Sequence, residues 1–436
     1  MMSKNVQQQS GVQSFRESKK GRKDQVDQIL AANFLDYAPI SNISVVDKRS
    51  QVRHEFRQQE YKVSNASKTM EIRLGLGDAF VYAPNCYLSF KLKVNAGTAG
   101  FGAHSALSLF QTAEIKAHSG NEIDRVEQVN VHSLQSIKYG ESFSYTQTGV
   151  GGLIGFSDGW DNVVTTNDTV VCIPMKFLLP CFSYPGLLPS QGFLAGSVIR
   201  LELAPATIGL VLNGSTEYTI SDPRIMMDEL ILTDAFSKRL QLMSARSGPG
   251  LSITWNSWYH QQQISNASAR VEVQMANSVS RATRAWCMIR NTANQVGGQD
   301  SISALSAAGS ITEYQFKLGN LRFPDQVSTD NSEHFANALI AWQQFDKSVQ
   351  PGVSLFGYTT NPADLADGPR FNSGNRIVAS SFERNHILQL SGIGVNGNRL
   401  LRVNLEKEAT ADHTVDLFLE YVRHANIHLD LQFIST

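Results

Sequence analysis

The chain is poor in charge and cysteine, and it holds no long apolar run. Charged residues make up 18% of its 436 positions, with 38 Lys and Arg against 39 Asp and Glu. A body so close to neutral offers no field for a polyanion, which excludes bulk nucleic-acid binding as its main task and leaves room for a local basic segment. The four cysteines, Cys86, Cys172, Cys181 and Cys287, form no CxxC pair and sit among apolar neighbours. They read as buried, reduced thiols, neither disulfides nor zinc ligands. No run of about 18 uninterrupted apolar residues is present to form a membrane-spanning helix. Residues 1–25 are polar and basic without the apolar centre of a secretory signal, so folding in a reducing compartment inside the cell is expected. The sequons at Asn42, Asn65, Asn167, Asn213 and Asn266 are then expected to stay unmodified.

Catalytic machinery is missing as well. The sequence has no GxxxxGK[ST] phosphate loop, no HExxH and no GxSxG elbow, and Gly149-Val150-Gly151-Gly152 misses the GxGxxG register. His424 and His428 lie four apart beside Asp430, a spacing that would put two metal ligands on one helix face, but the segment reads as strand. Glu71 with Asp78, and Glu122 with Asp124, imitate paired carboxylates and are better explained as solvated turns. No catalytic residue, cofactor or metal ligand is assigned.

What is abundant is Ser, Asn, Gln, Thr and Gly between short alternating apolar segments, the pattern of strands joined by polar turns. Tyr87-Leu88-Ser89-Phe90-Lys91-Leu92-Lys93-Val94 alternates strictly, one face in and one face out. Val198 to Leu203, Tyr218 to Ile220, Ile225 to Leu232 and Val271 to Met275 repeat the theme, with turns such as Asn95-Ala96-Gly97 and Asn213-Gly214 between them. An all-β protein of sandwich or barrel type is predicted. Two helical patches interrupt the strands at comparable places: 124–138, with Val126, Val129, Leu134 and Ile137 on one side, and 332–345, with Phe335, Ala338, Leu339, Trp342 and Phe345. Each follows a glycine-containing strand exit, Ser119-Gly120-Asn121 and Leu318-Gly319-Asn320, which suggests an internal duplication with a period of roughly 200 residues. Ser247-Gly248-Pro249-Gly250 marks the join, giving a first unit at 46–235, a linker at 236–250 and a second unit at 251–436. The segments 145–161, 291–310 and 350–376 read as long loops, and the five tryptophans as fillers of their own sandwich or anchors of an interface.

Residues 1–45 stand apart. Positions 1–23 carry six basic side chains (Lys4, Arg16, Lys19, Lys20, Arg22, Lys23) against Glu17 alone, with little to bury, and read as a basic arm. Val26, Ile29, Leu30 and Phe34 then fall at helical spacing between Asp24 and Pro39, predicting a short amphipathic helix whose apolar stripe docks on its own protein or, as the alternative, anchors on a membrane.

Several strings resemble the double jelly-roll major capsid proteins of the Polinton-like virus, virophage and adintovirus group, with more distant similarity to those of nucleocytoplasmic large DNA viruses. They are Ser119 to Glu127, Val273 to Trp286, Gly319 to Gln326 with the helix bearing Glu333, and Leu390 through Asn404-Leu405 into Leu417 to Tyr421. The likeness covers about residues 45–436. It implies two consecutive jelly-roll β-sandwiches with short helices between strands, homotrimers of hexagonal outline in an icosahedral virion shell, and no catalytic activity. It also implies longer loops rising as outward towers, vertex (penton) and minor capsid proteins as further partners, and an arm (Arg16, Lys19, Lys20, Arg22, Lys23) facing the interior toward viral DNA or an internal membrane. The alternative from another class is a carbohydrate- or receptor-binding β-sandwich of spike or lectin type.

Overall fold

The structure, a computed structural model, describes residues 46–101, 105–141, 153–154, 164–234, 236–238, 240, 251–265, 268–291, 311–345, 377–383, 392–396, 399–407 and 413–427. The basic arm, the helix expected after it, Trp160, His428, Asp430 and most of the three long loops lie outside these residues.

In the first half the strands are β1 (Val46–Glu55), β2 (Glu60–Val63), β3 (Lys68–Arg73), β4 (Phe80–Tyr82), β5 (Tyr87–Val94), β6 (Thr98–Phe101), β7 (Phe110–Lys116) and β8 (Glu122–Glu127). After helix α1 (Val129–Gly140) come β9 (Thr169–Pro174), β10 (Leu187–Pro189), β11 (Val198–Leu203), β12 (Leu210–Asn213) and β13 (Tyr218–Leu232). The second half runs β14 (Leu251–Ser265), β15 (Arg270–Met275), β16 (Val279–Asn291), β17 (Ile311–Leu318) and β18 (Leu321–Ser328), then α2 (Asn331–Ala341). It closes with β19 (Val378–Ser381), β20 (Ile393–Val395), β21 (Leu401–Lys407) and β22 (His413–Ile427).

The halves repeat one topology. The second builds a sheet ordered β14-β22-β16-β19 and another ordered β15-β21-β17-β18. The first builds β1-β13-β5-β9 and β3-β11-β7-β8 in the same way, with β2, β4 and β10 added to the larger sheet. Among the described residues every strand pairing is antiparallel, and apart from the hairpins β7–β8 and β17–β18 the neighbours in these orders are non-consecutive, which marks Greek-key crossovers; two such four-stranded orders facing each other make a jelly roll. Among the described residues no strand of one half pairs with a strand of the other. The helices start at Val129 and Asn331, matching the period of roughly 200 residues seen in the sequence.

Alternation explains the strands. On β5, Leu88, Phe90, Leu92 and Val94 enter the core while Lys91 and Lys93 face out, as the sequence predicts. Tyr218 to Ile220 and Ile225 to Leu232, read as two segments, form one strand, because β13 continues through an irregular register between Ser221 and Arg224. Helix α1 differs from expectation. Residues 124–127 belong to β8, where Val126 pairs with Ala113 and Asp124 with Ile115, and the helix begins only after Gln128 turns left-handed at φ 53°. Cross-strand pairing outweighs a helical spacing of four apolar residues. Helix α2 starts with Asp330 accepting a hydrogen bond from the Ser332 amide. Leu240, inside the sequence-predicted linker, is buried against the first half's core.

One apolar cluster is confined to the second half and includes Ala285, Cys287, Phe316 and Leu417. The other fills the first half and crosses into the second, taking in Trp255, Trp258, Trp286, Met288, Trp342 and Phe418. The two halves therefore share a core.

Candidate functional site at the seam of the two halves

The shared core rests on a two-sided sheet. Along β22 the residues from His413 to Val422 are all buried, although alternate side chains point to opposite faces. Val415, Leu417, Leu419 and Tyr421 fill the second sandwich, and Phe418 faces the first half. On β16, Ala285 and Cys287 likewise point inward while Trp286 and Met288 join the shared cluster. A solvent face would leave such aromatics exposed, so this sheet is built to be covered.

Helix α1 is the cover. His132 lies with its ring centroid 4.4 Å from Trp258, 5.7 Å from Phe418 and 6.4 Å from Trp286. Trp286 stacks on Phe418 at 4.2 Å, and Tyr139 lies 5.2 Å from Trp342. The approach at the helix end is close: a Cβ on Gly140 would come within 3.3 Å of the Trp342 ring, and the Gln344 side-chain amide donates to the Gly140 carbonyl. The guanidinium of Arg284 sits between the Trp258 and Trp342 rings at 5.2 and 4.8 Å and pairs with buried Glu420.

Beside the aromatics, β8 runs along β14 and presents a buried carboxylate. Asp124 is fully buried and accepts four hydrogen bonds. Two come from its own half, the backbone amides of Arg125 and Cys181. The other two cross the seam, from the Ser257 hydroxyl and the Trp255 indole N–H. Desolvation pushes the Asp124 carboxyl up from its ordinary value, and the Ser257 hydroxyl, the charge of Arg423 and the Cys181 and Arg125 amides oppose it. Arg423 on β22 reaches back and donates to both the side chain and the backbone carbonyl of Glu122.

A second buried ion cluster stiffens the covered sheet. Asp416 receives both arms of Arg290 and lies 2.8 Å from His260. Burial alone would raise its pKa, but the Arg290 charge and the hydrogen bonds from His260 and Arg290 win and hold it at about 2. His132 is pushed the other way, down to about 3, by desolvation first and then by the charges of Arg284 and His260. It is therefore neutral in the folded protein at any pH near neutrality.

The residues singled out by sequence fall as follows. Trp255, Trp258, Trp286 and Trp342, read from sequence as core fillers or interface anchors, are buried core residues that lie at the seam, where the two sandwiches bury a face against each other. Glu122 and Asp124 are no solvated pair: Asp124 is the buried acceptor of the seam. Glu71 pairs with Arg200, and Asp78 accepts from Gln191, so these two carboxylates act separately. His424 is on strand β22, opposite Thr254, and is exposed. Among the described residues no three His, Cys, Asp or Glu side chains come together as metal ligands. Of the seam's members, His132, Ser257 and Arg423 carry no sequence signal, because their roles depend on contacts across about 130 to 300 positions of chain.

No family model matches the chain, and no curated protein matches it by sequence. Solved structures do. The Faustovirus major capsid protein superposes with TM-score 0.57 at 9% identity, over 90% of this chain and 94% of that one. The quasi-atomic model of the PBCV-1 virus capsid gives TM-score 0.55 at 9% identity, over 90% and 97%. VP54 of PBCV-1, in the crystal structure fitted into a reconstruction of the virophage Sputnik, gives 0.54 at 9%, over 90% and 97%. What these proteins share with this chain is the fold, two jelly rolls in succession.

Replacing Asp124 with Ala strands four buried donors, and Asp124→Asn turns an amide N–H toward them. Either change is expected to lower stability by about 2–4 kcal/mol in denaturant unfolding. Asp124→Asn with unchanged stability would remove the carboxylate from its role.

His132 is neutral when folded and titrates near its ordinary value when unfolded, so its contribution is present above pH 6.5 and lost as pH falls toward 3. In unfolding measurements between those values, the native chain is expected to lose about 1.4 kcal/mol more per pH unit than His132→Leu. Parallel pH profiles would show that the ring is not kept neutral by its surroundings.

Proposed function

We propose that this chain is a major capsid protein: three copies form a ring of hexagonal outline, and such trimers tile the shell of an icosahedral virus. The observation that supports it is the repeat itself. Two sandwiches of one strand order stand side by side, joined through unlike faces, β8 and α1 of one against β14, β16 and β22 of the other. A contact between unlike faces can propagate and close into a ring, and with two sandwiches per chain three chains supply six units. The likeness in fold to the Faustovirus and PBCV-1 capsid proteins supports the same reading.

In this reading the protein acts by shape and has no catalytic role. The first sandwich is 46–235, the second 251–436, and 236–250 links them. The chain is made and folded inside the host cell and ends in the virion. Its partners are itself, the vertex (penton) and minor capsid proteins, and viral DNA or an internal membrane. The last contact is assigned to the arm, whose Arg16, Lys19, Lys20, Arg22 and Lys23 give a basic segment on a chain whose overall net charge is −1.

Light scattering and negative-stain electron microscopy of the purified chain are expected to give a trimer of hexagonal outline or shells built from it. A monomer with neither would overturn the capsid reading and lead to a glycan and receptor screen.

Deleting residues 1–23 is expected to leave trimers intact and to impair shell assembly or genome packaging. Normal shells of normal genome content from the shortened chain would remove the arm from that role.

A further inference from the structure

Strand direction sorts each sandwich into two ends. One end of the first holds the start of β1 and the close of β13, where Val46 pairs with Leu232, the close of β3 beside the start of β11, and the turn at Gly120 between β7 and β8. The matching end of the second holds Leu251 paired with Ile427, Met275 paired with Leu401, and the turn at Gly319 between β17 and β18. Arg423, near the close of β22, grips Glu122 at the start of β8, so the two ends lie side by side. The arm joins the body here, because β1 begins here.

Cations at this end lack matching carboxylates. Further along the same sheets the charges are paired, Arg200 with Glu71, Arg125 with Glu127 and Arg270 with Glu406. Toward the turns the pairing lapses. Arg402, Lys317 and Arg322 stand directly opposite one another on β21, β17 and β18, and they face outward, since their chain neighbours Leu401, Leu318 and Phe323 face the core. Like charges so placed cost stability. Arg402 reaches Glu272 at 3.4 Å, while Lys317, Arg322 and exposed Arg399 in the turn before β21 pair with no carboxylate among the described residues.

In the first sandwich the same end carries a cleft of about 340 Å³ between outward side chains of β3, β11 and β7. Arg73 meets no carboxylate in it. Its guanidinium donates to His118 Nδ1 at 2.9 Å, so the neutral ring carries its proton on Nε2 as a further donor. Lys116, shared with Glu114, completes the cluster. Gly196, at φ 70°, borders the ring: a Cβ there would come within 3.3 Å of Nδ1, so glycine keeps the cleft open. Against these cations stand Asp47, Asp78 and Glu122, of which Arg423 takes Glu122 and Gln191 donates to Asp78.

We infer that this end of the folded body is a phosphate-binding face for a nucleic-acid backbone, with Arg73, Lys116 and His118 of the first sandwich and Lys317, Arg322 and Arg399 of the second as its contacts. Cations without partners, set on rigid strands a sandwich apart, suit a long polyanion that touches both groups and releases counterions at each. Such contacts hold phosphates and read no bases, so binding is independent of sequence. A lipid surface fits less well. Among the described residues the exposed large apolar side chains at this end are Leu321 and Ile231, one on each sandwich, too little to enter a bilayer. That the polyanion is a packaged genome rests on the shell reading above, and the face adds to the arm at the end where the arm joins.

The test is binding of the full chain to a DNA duplex of about 30 base pairs, followed by fluorescence anisotropy from about 50 to 200 mM salt. Arg16, Lys19, Lys20, Arg22 and Lys23 are changed to Gln throughout, leaving Lys4 balanced by Glu17, so that the body alone is read. This chain is expected to bind. Lys317→Gln/Arg322→Gln and Arg73→Gln/His118→Gln are each expected to weaken binding about fivefold or more and to flatten the logarithmic salt slope by about one to two. Lys68→Gln/Arg270→Gln removes two exposed cations from the opposite ends of the sandwiches and is expected to change neither. All these side chains reach the surface, so circular dichroism is expected to stay native-like. No binding at about 50 mM salt, or equal losses in the opposite-end variant, would overturn the face. Binding to vesicles of phosphatidylglycerol in phosphatidylcholine but not to the duplex would give the face to a lipid headgroup and overturn the nucleic-acid assignment. Light scattering of the same chains separates the two readings: trimers without duplex binding overturn this inference alone, and duplex binding by a monomer overturns the shell reading alone.

Discussion

A carboxylate withdrawn from water must be met by donors, and Asp124 takes two of its four from each half of the chain. Neither half alone satisfies it. Apolar packing between α1 and the tryptophans supplies area but little direction, since aromatic contacts tolerate sliding. The hydrogen bonds to Ser257 and Trp255 supply the direction: a shift of an ångström or so between the sandwiches would break them. Arg423 clamping Glu122, and Arg284 held between two rings and Glu420, add to the same fixed placement.

In the shell reading proposed above, a rigid seam matters because angular error accumulates around a ring. If the two sandwiches of a chain moved freely, a closed six-unit ring would compete with open chains of the same contacts. The buried polar groups favour register more than raw stability, in the way buried ion pairs can when apolar replacements would pack as well. The Asp416 cluster fits this reading: Arg290 and His260 hold one sheet residue on three adjacent strands, β14, β22 and β16.

Repetition with divergence is the other theme. One strand order serves twice, but β8 carries Glu122 and Asp124 where β18 carries Leu321 and Phe323, and α1 is buried where α2 is half-exposed. The face between halves forms once, during folding of a single chain, and can bury polar groups whose partners are always at hand.

Alternation of period two made the strands legible from sequence alone, β5 and β15 nearly residue for residue, and the glycine-containing exits at Gly120 and Gly319 made the duplication legible. These signals are local, because a pleated backbone sends neighbouring side chains to opposite faces wherever it sits. The same local view misread residues 124–127 as helix, since four apolar spacings weigh less than a ladder to β7 that the sequence does not display. It also took Asp124 for a solvated turn residue and left open whether the tryptophans fill single sandwiches or anchor an interface. Burial on both faces of β16 and β22, and the donors that gather at Asp124, arise only when the two halves meet. Sequence by itself determined an all-β chain in two similar halves with a basic arm; tertiary structure decided which faces are sealed and which are bare, because that depends on contacts between residues more than a hundred positions apart.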